Sequence, residues 1–202
     1  MRNFGIGIVL CAQIILTGCA AFGVVETSDP DVKLNDAENL LIDQDRPLPA
    51  EKLIYEAIEI YQKQGNSRGL GNAYRTYGDL LQSPSLTKWG SKNTRFHDES
   101  VTYENRAAKS QEYFLKALES YLKSEKQPLE AEQFDDLTNL YLNIAWVYFR
   151  LNDPKNSCAF YDKSLEAYAE NIRRNPAAHP VVFGFKSYPD MVASRKKMVG
   201  CE

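Results

Sequence analysis

From about residue 50 onward, apolar side chains recur at i, i+3, i+4 and i+7, the period of an amphipathic helix, and strand-like alternation is almost absent. Leu53, Ile54, Ala57, Ile58 and Tyr61 make one such face, and Leu137, Leu140, Tyr141, Ile144, Ala145 and Tyr148 make another. Val24-Val25 and Val181-Val182-Phe183 are isolated apolar pieces, too short to build a sheet. Breaks fall at Gly65-Asn66, Ser83-Pro84, Gln127-Pro128, Asn152-Asp153-Pro154 and Asn175-Pro176. Glycine admits the left-handed cap and proline removes a backbone donor, so such pairs end helices. The pattern predicts at least six helices, no sheet, and a last helix near Tyr188 to Val199 that caps the array.

One stretch repeats. Ile54-Tyr55-Glu56-Ala57-Ile58-Glu59-Ile60-Tyr61 returns as Phe114-Leu115-Lys116-Ala117-Leu118-Glu119-Ser120-Tyr121 and as Tyr161-Asp162-Lys163-Ser164-Leu165-Glu166-Ala167-Tyr168. Each copy has a large apolar residue, a small one three later, an aliphatic, a Glu and a Tyr. A small residue lets two helices approach, and the large ones fill the space beside it. After each of the first two copies comes a helix with its own small residue, Gly78 in Tyr74 to Leu81 and Ala145 in Tyr141 to Tyr148.

These residues resemble the tetratricopeptide repeat family. The clearest unit runs from about Thr138 to Asn171, with Ala145, Tyr148, Ser157, Tyr161, Ser164 and Leu165 at the signature places and serine standing where alanine is usual. Lys63 to Ala73 is similar to the linker and helix start of longer variants. The copies begin at 54, 114 and 161, farther apart than the roughly 34 residues of the regular repeat. The surplus is assigned to loops, mainly Ser83 to about Asn105, and to long helices. The resemblance covers most of residues 50–171 and implies an all-α, antiparallel helical array of about three irregular repeats.

The N-terminus is of another kind. Met1-Arg2-Asn3 is a short basic segment and Phe4 to Leu16 an apolar one, too short for the roughly 20 residues a bilayer requires. Leu16-Thr17-Gly18-Cys19, followed by Ala20-Ala21, resembles a bacterial lipobox. The resemblance implies cleavage before Cys19, lipid on its thiol, and anchoring by more than one acyl chain, which holds where one chain would not. In a Gram-negative host, alanine rather than aspartate at position 20 implies sorting to the periplasmic face of the outer membrane. The domain reading is then 1–18 signal peptide, 19–33 polar tether and 34–202 helical domain. Cys158 and Cys201 remain after Cys11 leaves and Cys19 is lipidated, and an oxidising compartment permits a bridge. Spacing alone does not fix their separation, so a bridge and two separate thiols both stay open.

Composition narrows the function. A formal charge of −3 lacks the basic bias of a nucleic-acid binder. His97 and His179 stand far apart without partners at metal or triad spacing and read as surface residues, and no phosphate loop, nucleotide fingerprint or nucleophile elbow is present. No cofactor or metal is expected. Glu130, Glu132, Asp135 and Asp136 read as a solvated face, and Arg195-Lys196-Lys197 as cations at a helix C-terminus. The 83–105 segment, with Trp89, Phe96 and Tyr103, is either a flap packed over the array or a partner-binding element, with packing favoured.

Two classes remain. One is a non-enzymatic, membrane-anchored scaffold that binds an envelope protein or peptide in a concave groove. The other is a lipid-anchored envelope enzyme such as a cell-wall glycan hydrolase, which needs two carboxylates about 5–10 Å apart across a cleft. The sequence identifies no such pair. In the family the first helix of each repeat lines the groove, which points to Asn72, Arg75, Asp79 and Gln82 on one helix and Asn139, Leu142, Asn143, Trp146 and Arg150 on another. Amides can hold an extended backbone, Arg a carboxylate, and Trp supplies area.

Overall fold

The computed structural model describes residues 26–178, 182 and 184–201, and every regular element among them is helical. In chain order these are α1 (Pro30–Ile42), α2 (Pro47–Gln64), α3 (Ser67–Leu81), α4 (Pro84–Trp89), α5 (Arg106–Ser124), α6 (Lys126–Glu130), α7 (Phe134–Arg150), α8 (Pro154–Arg174) and α9 (Tyr188–Val199). The expected all-α array is present. Cys19 and His179 lie outside the described residues.

Local chemistry sets the boundaries. Asp29, Ser83, Asp153 and Ser187 each accept a backbone N–H of the helix they precede, and proline follows at the first or second helical position. Such a residue satisfies an orphan donor, and proline there has no N–H to lose. Ser83-Pro84 therefore starts α4 as well as ending α3, and Gln127-Pro128 lies inside α6. The same signature corrects the tether. Asp29-Pro30 opens α1, so Pro30 to Lys33, expected in the 19–33 spacer, form its first turn with Pro30 and Lys33 buried.

Three antiparallel hairpins follow, α1 on α2, α3 on α5 and α7 on α8. Each repeats one packing unit. A small residue on the first helix (Ala37, Gly78, Ala145) is matched by a small one on the second (Ala50, Ser110, Ser157). Beyond it along the second helix come a fully buried large residue (Ile54, Phe114, Tyr161), another small one (Ala57, Ala117, Ser164) and a Tyr (Tyr61, Tyr121, Tyr168). Ser110 and Ser157 each donate to the backbone carbonyl of the facing small residue, Gly78 and Ala145, at 2.8 Å. The repeated stretches are thus the second helices of their pairs, and the helices with Gly78 and Ala145 precede their partners. The 82–105 surplus interrupts a hairpin, between α3 and α5. Leu86, Phe96 and Val101 are buried with the first hairpin and α3 and pin the segment to them, while most of its other residues are exposed, Trp89 at 56%.

α9 packs on α8 through Tyr188, Met191 and Val192, which bury with Ala145 and Tyr161. It caps the array as expected, and Cys158 and Cys201 are joined in a disulfide with Cα atoms 5.7 Å apart.

Tyrosine hydroxyls tie elements together. Tyr61 donates to Asp31 at 2.6 Å, Tyr77 to Glu51 at 2.7 Å, Tyr113 to Asp98 at 2.6 Å and Tyr141 to Glu125 at 2.9 Å. Burial first, and then these carboxylates, push the four phenols well above their ordinary range. Burial also pushes Tyr121 up to about 12, with Arg75 opposing it. A raised folded-state pKa favours the neutral phenol in the fold. Stability is therefore full below the unfolded value of about 10 and is lost as pH rises toward the folded values. We expect phenolate absorbance to rise in two steps, the later one coinciding with loss of helical circular dichroism above about pH 10. Titration of all 12 tyrosines in one step with the helices intact would contradict this.

Candidate functional site

The first helices of the hairpins, α1, α3 and α7, line one face together with α9. Between them lies a cavity of about 510 Å³, continued by a smaller one of about 250 Å³ toward the start of α1. Long polar side chains bridge α3 and α7, and Asp79 is their centre. Its carboxylate accepts from Trp146 Nε1 at 3.2 Å and meets Arg75 at 3.3 Å and Arg150 at 2.9 Å. Arg75 also reaches Glu38 on α1 at 3.1 Å, and Arg150 donates to Gln82 at 2.6 Å. Farther along, Asn72 accepts from Tyr121 at 2.8 Å and from Asn143 at 3.5 Å. Helical spacing explains the grouping, because residues three or four apart fall on one stripe: Asn72, Arg75, Asp79 and Gln82 on α3, and Leu142, Asn143, Trp146 and Arg150 on α7.

Burial pushes the Asp79 carboxyl up, while the Arg75 and Arg150 guanidiniums oppose that push. Both arginines keep about a fifth of their side chain open to solvent, so the network floors the groove without being sealed. Arg75 Nε is buried and bonds nothing among the described residues. Arg195 of α9 stands 5.9 Å from the Trp146 ring. Three guanidinium groups, those of Arg75, Arg150 and Arg195, thus face two carboxylates, those of Glu38 and Asp79.

Comparison with protein-family models, curated protein sequences and solved structures gives no match. The functional reading rests on this geometry.

Of the residues singled out from sequence, Arg75, Asp79, Gln82, Leu142, Asn143, Trp146 and Arg150 line the larger cavity, and Asn72 lines the smaller. Asn139 does not. It is exposed and donates to the Asp135 carbonyl one turn back. Leu142 and Trp146 are half-buried, each both lining the groove and packing. Sequence reasoning missed Glu38 on α1 and Arg195 on α9. The Asp29-Pro30 signature could have found α1, whereas nothing local places Arg195 beside Trp146. With Glu38 and Arg195 added, the face is richer in charge than the set read from the sequence. His97 is a surface residue with a partner, because the buried Glu51 carboxylate, 46 positions away, holds its Nδ1 at 2.5 Å.

Proposed function

We propose that this chain is a non-enzymatic adaptor of tetratricopeptide type, anchored through lipidated Cys19 at the periplasmic face of the outer membrane. It would hold an acidic or C-terminal segment of an envelope protein in the groove of α1, α3, α7 and α9. The observation that carries the reading is the Arg75–Asp79–Arg150–Trp146 network, with Arg195 beside it. Guanidinium forks suit carboxylates, and an aromatic ring fixed by its N–H offers area at low entropic cost. Three hairpins with one packing unit support the repeat assignment, and the lipobox-like Leu16-Thr17-Gly18-Cys19 supports the anchor. No helix among the described residues is long and apolar enough to cross a membrane.

The test is capture from detergent-solubilised envelopes by wild type and by an Asn143→Ala, Arg150→Ala variant. Recovery of at least one protein should fall about tenfold or more, the scale for truncating a central arginine. Equal recovery of every captured protein would reject the groove. Palmitate should label wild type and not Cys19→Ser, and equal labelling would reject the anchor.

A further inference from the structure

A second cavity lies away from the groove, between the start of α2 and the chain after α4. Its volume is about 590 Å³, within the range of small-molecule sites. Leu48, Leu53 and Trp89 supply apolar walls, and Lys52, Arg95 and His97 stand around them.

The walls are held before any ligand arrives. Trp89 is 56% exposed, yet its Nε1 donates to Asp45 at 2.7 Å and Lys88 lies 4.7 Å from its ring. At the other end of the segment, Glu51, 2% exposed, accepts from the His97 backbone N–H at 3.0 Å and from Tyr77 at 2.7 Å. Between them Ser91 and Thr94 close a turn on each other, and Phe96 is buried. A large exposed indole fixed in orientation, beside the 44% exposed Leu48, leaves apolar area in water that nothing in the fold requires.

The charge of the segment after α3 is one-sided. From Ser83 to His97 the chain carries Lys88, Lys92 and Arg95 and no carboxylate, although the protein is acidic overall. Lys88 is paired with Asp45. Arg95 bonds no described residue, and Lys52 has only Glu56, at 3.6 Å. Glu51 also lines the cavity, but it is 2% exposed and turned to Tyr77 and His97, so Lys52 and Arg95 at the mouth outnumber its one carboxylate.

We infer that this cavity binds a single-chain anionic amphiphile, its alkyl tail along Leu48, Leu53 and Trp89 and its head group at Arg95 and Lys52. A peptide would bring backbone amides that apolar walls cannot satisfy, whereas an alkyl chain asks for no hydrogen bonds. The site does not depend on the groove reading.

The probe is decanoate below its micellar concentration, titrated calorimetrically into the full mature chain, with decanol as the uncharged counterpart. Wild type should bind decanoate saturably, one per chain, and decanol about tenfold more weakly, the scale of one charge-assisted contact. Lys52→Gln, Arg95→Gln should remove that difference while leaving decanol unchanged. Trp89→Ala should weaken both ligands alike, and Arg150→Ala in the groove neither. Lys52, Trp89 and Arg95 are exposed, and unchanged helical circular dichroism verifies folding of every variant. No saturable decanoate binding, equal affinity for the two ligands in wild type, or equal loss of both in the charge variant would overturn the site. Binding to vesicles of anionic phospholipid without binding to monomeric decanoate would overturn it in favour of a membrane-surface patch.

Discussion

Reducing the Cys158–Cys201 bridge is expected to lower the unfolding free energy by about 4 kcal/mol, from the closure entropy of a loop of this size. The two cysteines are 43 residues apart, and the bridge fastens the chain just beyond the Gly200 cap of α9 onto α8. Apart from the bridge, α9 is held by the Tyr188 hydroxyl on Ser164, the Tyr168–Tyr188 stack, the Lys196–Asp162 pair at 2.6 Å and a small apolar contact. Its buried residues are Tyr188, Met191 and Val192, and it packs chiefly on α8. Urea unfolding of oxidised and reduced protein should show the shift in midpoint, and a Cys201→Ser variant should match the reduced form. Hydrogen exchange should rise first in α9, because the opening of a terminal element is the lowest local excursion. The groove should feel it too, since Arg195 is carried on α9. Equal midpoints for oxidised and reduced protein would contradict the expectation.

What could be read in the sequence followed from how local each signal was. Helical periodicity and breaks gave the middle helices, since both are properties of a few consecutive residues. The stripe through Asn72, Arg75, Asp79 and Gln82 needed only the helical period, and the structure sets it against α7 because both are first helices of hairpins. α1 was missed for a local reason: the segment up to Lys33 reads as a polar tether, whereas Asp29 caps a helix that Pro30 opens. The order of pairing was missed for a non-local one. With 82–105 inserted, α3 lies nearer in sequence to α2 than to α5, and only the fit of Gly78 to Phe114 and Ser110 shows which helix it joins. His97 and Glu51, or Arg195 and Trp146, meet only once hairpins stack, and no spacing rule anticipates them. The cavity at Trp89 was invisible for the same reason, although the run of cations without a carboxylate was in plain view.

Gly78→Ala is expected to destabilise the protein, where the same change in an exposed helix would add about 1 kcal/mol. A Cβ at Gly78 would stand 2.7 Å from Phe114 Cε1 and 2.9 Å from Cδ1. Those atoms belong to a ring with no exposed surface, set among Ala117, Tyr121 and Leu140, so it cannot swing aside. The helices would have to part, stretching the 2.8 Å bond from Ser110 Oγ to the Gly78 carbonyl and leaving a buried hydroxyl poorly satisfied. Overpacking of this kind costs about 1–3 kcal/mol, and Gly78→Leu should lie at or above the top of that range. Phe114→Ala acts in the opposite sense, opening a cavity, and should cost about 3–5 kcal/mol. The decisive measurement is the double variant Gly78→Leu, Phe114→Ala, in which the new side chain enters the space the ring has left. Its loss should fall short of the sum of the two single losses by about 1–3 kcal/mol, the coupling expected of residues in direct contact. Strict additivity in chemical denaturation would mean that Gly78 and Phe114 do not face each other, and with that the pairing of α3 with α5 would fail.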